Sequence, residues 1–468
     1  MVLKTFDVIV VGAGPGGSMA AKVAAELGLS TIFFERGRKP GEKNASGCGL
    51  GPRLWRDFDF MKDLDSDACP SLRSGTAIRH YFIDKEDEMA GMLVTKPTRS
   101  VGYEPAKQFI TMNVYRSEFD PWLANLAVAA GAKLKTSTLI VDLLRENDKV
   151  VGVQDDRGEV YKCRILIGAD GVHSKVAIKS GLRAKWKRDQ VVLVPQLDFE
   201  VPPENIDKIL GEETLGTWWG VNFPAAFQVF FHDGFHIGLG NWLGWWDKNP
   251  NEYLEQVVAL DRFQQLIRQL DAKPREYQVH MVPWLAKPEN TFTDNVMLVG
   301  DAGGFPCPLE AEGVYPAMLT GRLAAQTAAK AIEDNDTSRE SLARYEQDWR
   351  ESSVGIEFET GRELANLWKA LPFDPHGNMQ WFVPAVTELL GGVFDWSEPH
   401  AVRMRQMADH LKQYGPAAGE FFVGQLLPLV SSVFRDDLRQ QTSLRATGKW
   451  IKSLARLRRR IMKATRRR

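Results

Sequence analysis

The feature that most constrains this chain is a glycine-rich turn close to its start. Residues 8–12 predict a buried strand, and an alanine-rich helix is predicted over 18–28. Between them, Gly12, Gly14 and Gly17 form the pattern G-x-G-x-x-G. Gly12 allows a tight turn, Gly14 lets the backbone approach a pyrophosphate, and Gly17 lets the helix pack closely on the strand. Because a helix N-terminus also presents free N–H groups to phosphates, this stretch predicts a dinucleotide-binding βαβ unit.

An acidic residue at the expected distance makes the motif more specific. A second apolar strand, Thr31–Phe34, is followed by Glu35, which lies 35 − 17 = 18 residues after the last motif glycine. A carboxylate at this position accepts hydrogen bonds from a ribose. The alternative, an ordinary glycine-rich turn between a strand and a helix, does not require this acid. The neighbouring Arg36 is included in the predicted cofactor site.

Two later glycine–aspartate motifs indicate which dinucleotide binds. One apolar strand ends in Gly168-Ala-Asp170-Gly171, and another ends in Gly300-Asp301, with a helical pattern from about Glu312. The three motifs, in this order, resemble the glutathione-reductase-type FAD fold in its p-hydroxybenzoate-hydroxylase-like branch. The predicted fold class is therefore α/β, with a FAD-binding Rossmann domain, an antiparallel-sheet substrate domain and a C-terminal helical region. FAD is the predicted cofactor.

The resemblance also implies roles for individual residues. Asp301, after Gly300, is expected to bind the ribityl chain of the flavin. Gly313 and Val314 are expected near the flavin pyrimidine, where a helix dipole stabilises an anionic reduced flavin. Asp170 is expected to shape the strand crossing and to belong to the cofactor site.

The loop after Glu35 carries a second resemblance. Its Gly41-Glu-Lys-Asn-Ala-Ser-Gly47 stretch resembles the geranylgeranyl reductase family and the related FixC-type and electron-transfer-flavoprotein–quinone oxidoreductases. This likeness covers roughly residues 5–370. It implies that Gly47, Cys48 and Gly49 lie near the flavin, with Cys48 approaching its reactive ring. Cys48 as a small packing residue is the alternative.

Arg116 resembles the family's arginine beside the flavin, and a surface ion pair is its alternative role. It precedes a helical pattern in which Asp120 is predicted to be the N-cap and Pro121 the first helical residue.

The predicted domains alternate along the chain. The meander strands expected over 139–153 and 160–167 suit an FAD-binding domain. The predicted limits are 1–75, 106–185 and 286–335 for the FAD-binding domain, 76–105 and 186–285 for the substrate domain, 336–442 for a helical region and 443–468 for a basic amphipathic tail.

Aromatic residues are concentrated in the predicted substrate domain. Geranylgeranyl reductases carry a Tyr-x-Trp-x-Phe-Pro signature, and Phe223-Pro224 fit it, whereas Trp219 stands in place of Tyr and Val221 in place of Trp. Trp218, Trp219 or Trp242 is expected to line an apolar slot for a lipid-like chain, with core packing as the alternative. Trp219 and Cys48 are predicted catalytic residues, together with His236 as a proton donor.

Composition excludes several other classes of protein. Among 468 residues there are four cysteines, none within four residues of another, which excludes C-x-x-C zinc sites and clustered iron–sulfur ligation. No metal is predicted. So few cysteines favour a reducing cytoplasm, and a signal peptide is not expected because residues 1–5 lead directly into the first strand.

The charge distribution singles out the predicted tail. Residues 445–468 hold 11 Lys/Arg and no acid, so the other residues hold 59 − 11 = 48 basic and 60 acidic groups. Trp450, Leu454, Leu457 and Ile461 form one helical stripe among these charges. The tail is predicted to bind an anionic membrane surface, which places the protein peripherally at the inner face, and a docking helix or solvated tail is the alternative. Nucleic acid is not a predicted partner.

Three reactions are compatible with these motifs. The favoured one is reduction of C=C bonds in a prenyl or other lipid-like substrate by hydride transfer from the flavin. The alternatives are electron transfer to a membrane quinone and flavin monooxygenation. A second G-x-G-x-x-G is absent from the sequence, so the electron donor is predicted to be an electron-transferring flavoprotein, a ferredoxin, or NAD(P)H bound without its own domain.

Overall fold

The computed structural model describes residues 4–42, 47–96, 109–284, 286–371, 373, 378–392, 409, 412–421 and 424. The strands are β1 (Lys4–Val11), β2 (Thr31–Phe34), β3 (Gly47–Leu50), β4 (Arg73–Gly75), β5 (Ala77–Ile83), β6 (Met89–Thr95), β7 (Thr111–Tyr115), β8 (Lys133–Lys135), β9 (Ile140–Glu146), β10 (Lys149–Asp155), β11 (Val160–Gly168), β12 (Val192–Glu200), β13 (Glu213–Gly220), β14 (Ala226–Phe230), β15 (Gly234–Leu239), β16 (Asn241–Trp242), β17 (Lys273–Val282), β18 (Phe292–Thr293) and β19 (Val296–Leu298).

Helices cover the sheets and form most of the C-terminal part. They are α1 (Pro15–Glu26), α2 (Arg53–Asp57), α3 (Arg116–Ala129), α4 (Lys175–Lys179), α5 (Pro203–Leu210), α6 (Pro250–Ala259), α7 (Asp261–Leu270), α8 (Val314–Glu333), α9 (Arg339–Glu351), α10 (Ser353–Ala370), α11 (Asn378–Gly392) and α12 (Gly415–Phe421). Within the described ranges, none of these helices is both long enough and apolar enough to cross a membrane.

The first sheet is built around β1, which pairs in parallel with β11 and β2. Its strand order is β18-β19-β11-β1-β2-β8, and β9 and β10 extend it as an antiparallel meander beside β11. Val8 and Val10 pack toward α1 and α8, whereas Ile9 and Val11 pack toward the meander. Burial on both faces explains why β1 is continuously apolar instead of alternating. The predicted strand, helix and meander are all present, which confirms the α/β fold class.

Helices α1 and α8 approach each other closely because each has a glycine at the point where they cross. A Cβ added to Gly321 of α8 would lie 2.3 Å from the carbonyl oxygen of Gly16 in α1. This contact holds α8 against the start of α1. The N-termini of both helices therefore lie on the same side of the sheet as the carboxyl ends of β1 and β19.

The second sheet has the order β16-β12-β15-β14-β13-β5-β6, and β17 pairs with β12 on its other side. One face packs against α5, α6 and α7 through a core that includes Trp218, Phe235 and Phe263. The opposite face contacts the small sheet β3-β7-β4 through Tyr115, which packs with Phe231. β7 thus stands between the two large sheets.

One predicted helix start is wrong. α3 begins at Arg116, so Asp120 is not an N-cap and Pro121 lies inside the helix. A proline here removes the N–H that would bond to the Ser117 carbonyl. The ammonium of Lys39 lies 3.4 Å from that carbonyl oxygen and donates to it instead. The predicted starts at Ser18 and about Glu312 are also displaced, by three and two residues, to Pro15 and Val314.

Several predictions fall on residues that are not described. The loop residues Lys43 and Asn44 and the basic tail lie outside the described residues. The predicted domain limits stay predictions, although residues 77–95 and 192–282 contribute strands to the same sheet.

Candidate active site

The turn after β1 has a backbone that only glycine permits at two of its positions. We call this turn, with Gly12, Gly14 and Gly17, the glycine cradle. Gly12 has φ +103°, and a Cβ there would lie 2.2 Å from the carbonyl oxygen of Ala169. A Cβ on Gly17 would lie 1.8 Å from the Gly12 carbonyl oxygen. Gly14, the N-cap of α1, is different, because among the described residues its Cβ would meet only the Arg116 guanidinium, at 3.7 Å. The backbone at Gly14 is therefore open to a ligand at the positive end of the helix dipole.

Glu35 closes one side of this cradle. Its carboxylate accepts hydrogen bonds from the N–H of Gly37, at 2.7 Å, and of Ala13, at 3.3 Å. Burial raises the pKa of Glu35, and these two hydrogen bonds oppose that increase. The carboxylate is thus fixed beside the glycine turn, whereas the Arg36 side chain is exposed.

Arg116 is the charged group on the other side of the cradle. Its Nε and Nη2 donate to the two carboxylate oxygens of Asp120, at 2.6 and 2.7 Å, and Asp120 is fully buried. The Arg116 side chain is 17% exposed, so the ion pair is mostly buried, and it directly follows β7, the strand between the two large sheets.

Asp301 lies at the N-terminus of α8. It occupies a short 3-10 turn after β19, and a Cβ on Gly313 would lie 3.6 Å from its Oδ1. Burial raises the pKa of Asp301 to about 6, and the charge of Arg116 partly opposes that shift. Gly300 needs its positive φ of +54°, and Val314, the first residue of α8, is buried. The four residues that the sequence assigned to this region therefore lie together.

The Asp170 carboxylate has a structural role. It accepts hydrogen bonds from the Ser174 hydroxyl and from the N–H groups of Lys175, at 2.7 Å, and Val176, at 3.1 Å. It therefore caps the start of α4. We expect any contact between Asp170 and a cofactor to involve its backbone.

Gly47, Cys48 and Gly49 lie in β3, beside the strand that leads to Arg116. Cys48 pairs with Val114, and Gly47 pairs with Tyr115, the residue before Arg116. The backbone thus brings the cysteine segment next to Arg116.

The inner face of the second sheet, which is turned away from α5–α7, has an apolar half. Phe82 and Trp219 pack there against Met379 and Val383 of α11. The indole N–H of Trp219 donates to the Thr217 hydroxyl at 2.6 Å. These side chains form a narrow apolar layer between sheet and helix.

Trp218 and Trp242 are core residues. Trp218 is on the opposite face, stacked on Tyr81 with ring centroids 4.0 Å apart. Trp242 stacks on Trp284 at 5.2 Å, and both are buried. Of the three tryptophans proposed for a lipid slot, Trp219 is the one that is only partly buried.

The other half of the inner face is polar. His236 is buried there between Phe227 and Phe231, with ring centroids 5.9 and 5.4 Å away. Burial lowers the pKa of His236 to about 3, and nearby His280 contributes to the decrease. The imidazole is therefore neutral at neutral pH, so any part in proton transfer has to be as a neutral group.

Comparison with known proteins identifies the family of this chain. The family described as FAD binding domain matches residues 5–354. A digeranylgeranylglycerophospholipid reductase of Methanocaldococcus jannaschii is 32% identical over 358 residues, which cover 74% of this chain and 82% of the relative. The enzyme of that name from Methanothrix thermoacetophila is 34% identical over 352 residues, with 74% and 83% covered. The chain belongs to the FAD-dependent geranylgeranyl reductase family.

Solved structures show the same fold. A geranylgeranyl bacteriochlorophyll reductase-like protein from Thermoplasma acidophilum superposes with a TM-score of 0.65 at 23% identity, covering 87% of this chain and 99% of that one. A flavin-dependent brominase superposes with a TM-score of 0.59 at 19% identity, covering 88% and 100%. At these identities the likeness concerns the fold alone.

FAD is the cofactor of this oxidoreductase, and the structure fits it. The glycine cradle leaves room at Gly14, the Glu35 carboxylate is fixed beside it, and the half-buried Asp301 carboxylate lies at a helix N-terminus. Desolvation disfavours the ionised form of such a carboxyl unless a partner binds it, and the hydroxyl groups of a ribityl chain can donate to it.

Two groups of functional interest escaped the sequence analysis. Arg53 forms ion pairs with Glu312 and Glu357 and lies 4.0 Å from the Tyr315 ring centroid, which anchors the start of α8 to α2 and α10. No local motif marks this network, because its members are far apart in the sequence. His280 escaped for another reason: it lies in β17, whose polar residues face inward, so the usual alternation is inverted.

Proposed function

We propose that this flavoprotein saturates C=C bonds in the prenyl chains of a lipid. The observation that carries the proposal is the similarity to two digeranylgeranylglycerophospholipid reductases across more than four-fifths of their length. The apolar layer around Trp219 and Phe82 supports it, because such side chains accept hydrocarbon and exclude water.

The proposed cofactor contacts divide into three groups. Gly12, Gly14 and Gly17 accommodate the pyrophosphate at the positive end of α1, and Glu35 accepts hydrogen bonds from the ribose. Asp301 accepts hydrogen bonds from the ribityl chain. Bound FAD supplies the hydride equivalent for the reaction.

Other residues of this chain provide position and charge. The N-terminus of α8, at Gly313 and Val314, stabilises negative charge through its backbone N–H groups. Arg116 holds a positive charge between the cradle and the second sheet. Cys48 and Trp219 stay predicted catalytic residues, and Gly47, Gly49 and Arg36 stay predicted cofactor contacts.

The test uses purified enzyme whose flavin is reduced anaerobically with dithionite. Stopped-flow absorbance then follows reoxidation by a geranylgeranyl lipid, by a menaquinone analogue or by air, each in a separate experiment. The proposal expects reoxidation by the prenyl lipid, with a saturated product by mass spectrometry. Reoxidation by the quinone alone would instead support the electron-transfer function, and reaction with oxygen alone would support monooxygenation.

The electron donor and the membrane contact need separate experiments. We propose that a ferredoxin, an electron-transferring flavoprotein or NAD(P)H reduces the flavin, and anaerobic mixing with each donor distinguishes them by the rate of flavin bleaching. We also propose that the basic tail, 443–468, binds anionic lipid. Sedimentation with vesicles containing anionic lipid, compared with neutral vesicles and with a chain ending at residue 442, tests that binding.

A further inference from the structure

Five polar side chains lie close together on the inner face of the second sheet. We call them the polar row: Gln196, Asp198, His236, Gln278 and His280. β12 lies between β15 and β17, and Asp198 pairs with His236 on one side while Gln196 pairs with Gln278 on the other. Directly opposed residues of antiparallel strands point to the same face, with Cβ atoms about 5 Å apart. His280 pairs with Val194, so it lies one step further along the same face.

Gln196, Asp198 and His236 are buried, Gln278 and His280 are half-buried, and the row is incompletely hydrogen-bonded within the protein. Among the described residues, no partner is found for either ring nitrogen of His236, for Nδ1 of His280, or for the side-chain oxygens of Gln196 and Gln278. Each buried polar atom without a partner costs about 1–3 kcal/mol. Five such atoms on one face are unfavourable in a dry core. Ordered water bonded to several of them would remove most of this penalty.

Over residues 277–280 of β17, the polar residues face the interior and the apolar residues face solvent. Tyr277 and Val279, on its other face, are 47% and 46% exposed, whereas Gln278 and His280 point inward. A strand placed by hydrophobicity alone would have the opposite orientation, since apolar residues normally take the inward positions. The strand therefore keeps polar groups inside at the expense of exposing apolar ones.

The polar row has an outer end and an inner end. At the outer end, Asp198 Oδ2 lies 3.9 Å from Nη2 of Arg275, whose side chain is 30% exposed. Between the ends, Gln196 donates to Asp198 Oδ1 at 2.8 Å. At the inner end, His280 pairs with Val194, which packs in one cluster with Trp284 and with Ala311 of the segment that leads into α8. Burial lowers the pKa of His280 to about 4, and the charge of Arg116 adds to that decrease. A neutral imidazole has one donor and one acceptor nitrogen, which suits it to pass a proton between two hydrogen-bonded neighbours.

We propose that the polar row, with water bonded to it, conducts protons between the Arg275 edge of the second sheet and the cofactor cleft beside Arg116. The inference rests on the proposed function, because saturating each C=C bond consumes one hydride equivalent and one proton. The hydride equivalent goes to one carbon. The proton enters from solvent, passes by exchange of hydrogen bonds along the row and ends on the other carbon, so the row regains its starting protonation. The row residues act by positioning the proton path, and none of them has to touch the lipid.

Gln196→Leu is the central test, since Gln196 is fully buried in the middle of the row and its replacement has a similar shape. Flavin reduced by light with a sacrificial electron donor, in weakly buffered solution, takes up a proton with the two electrons, and a pH-indicator dye reports the rate of proton uptake. We expect Gln196→Leu to slow this uptake about tenfold or more, while the melting temperature is unchanged or raised. Gln265→Leu, at an exposed position, is the matched control and should leave uptake as in the wild type.

The second readout is lipid-driven reoxidation of the reduced enzyme in H₂O and D₂O. Gln196→Leu and His236→Phe should slow reoxidation about tenfold and increase its solvent isotope effect, whereas His232→Phe, at an exposed histidine, should do neither. Wild-type uptake kinetics in Gln196→Leu would overturn the proposal and leave the row a structural feature only. If no prenyl lipid reoxidises the wild type, the proposed function fails, and the uptake experiment still decides the role of the row.

Discussion

The two large sheets place their polar groups in opposite positions. In the first sheet the strand interiors are apolar, and Gly12, Glu35 and Asp301 follow the carboxyl ends of β1, β2 and β19. In the second sheet the polar row lies within the strands. A parallel sheet buried on both faces can bind a ligand only at its edge, whereas an antiparallel sheet can devote one whole face to it. The candidate functional groups of the first sheet therefore lie at the ends of its strands. In the second sheet, the pairing register of the strands brings the polar groups together.

Arg116 joins the two arrangements. It follows β7, which lies between the large sheets, and its guanidinium would lie 3.7 Å from a Cβ placed on Gly14, in the turn after β1. Substitutions in one sheet at a time, and then at Arg116, test this difference between the two sheets.

The largest expected effect comes from Gly12→Ala in the first sheet. The added Cβ would lie 2.2 Å from the Ala169 carbonyl oxygen in a backbone with φ +103°, so we expect almost complete loss of bound FAD. The flavin absorbance per mole of purified protein measures it. Gly28→Ala is the control, because φ is +81° but no atom of the residues that the structure describes lies within 4 Å of the new Cβ. It should retain FAD and lose only about 1 kcal/mol of stability. Equal flavin content in both variants would contradict the role given to the turn.

Arg116→Ala is expected to cost about 3–5 kcal/mol of unfolding free energy, because it removes the guanidinium that donates to both oxygens of the fully buried Asp120 carboxylate. Chemical denaturation of the apoprotein measures this cost. The control is Arg344→Ala, which removes an exposed pair with Asp348 at 3.4 Å and should cost about 0–1 kcal/mol. Similar costs for the two variants would show that Arg116 is a surface ion pair.

Asp301→Asn should change how apoprotein stability depends on pH. Burial raises the pKa of this carboxyl from 3.8 to about 6, so the folded state holds its proton more tightly than the unfolded state. The wild type should therefore lose about 2–3 kcal/mol, relative to Asp301→Asn, as pH rises from about 4 to about 6. Denaturation curves across this range measure the difference. Asp63→Asn, at an exposed residue, should follow the wild type, and a pH-independent difference for Asp301→Asn would refute the shift.

The smallest effect is expected on the outer face of the second sheet. Val279→Lys should change the unfolding free energy by about 0.5 kcal/mol or less, because this side chain is 46% exposed at the edge strand β17. Val153→Lys, in the fully buried interior of β10, should cost several-fold more. If Val279→Lys destabilised the protein as strongly, the inverted orientation of β17 would be wrong.

Local chemistry is why the first sheet could be predicted from the sequence. A strand, three glycines and an acid at fixed spacing allow the backbone few conformations. The glycine cradle, Glu35 and the Asp301 turn can therefore be predicted without knowledge of the fold. The start of α3 was missed because a lysine from a distant loop compensates for Pro121. Trp218 and Trp219 could not be assigned by composition, since adjacent strand residues face opposite layers.

The sequence by itself determined the fold class, the FAD cradle and membership of the geranylgeranyl reductase family, because these depend on residues that are close together in the chain. Tertiary structure alone decided that Arg116 lies between two sheets, that Arg53 holds α8 through Glu312 and Glu357, and that a polar row crosses β12. These features join residues tens to hundreds of positions apart, and strand register and helix packing bring them together. The spacing of residues within one segment does not predict this register, because the register is fixed only when the strands pair in the folded sheet.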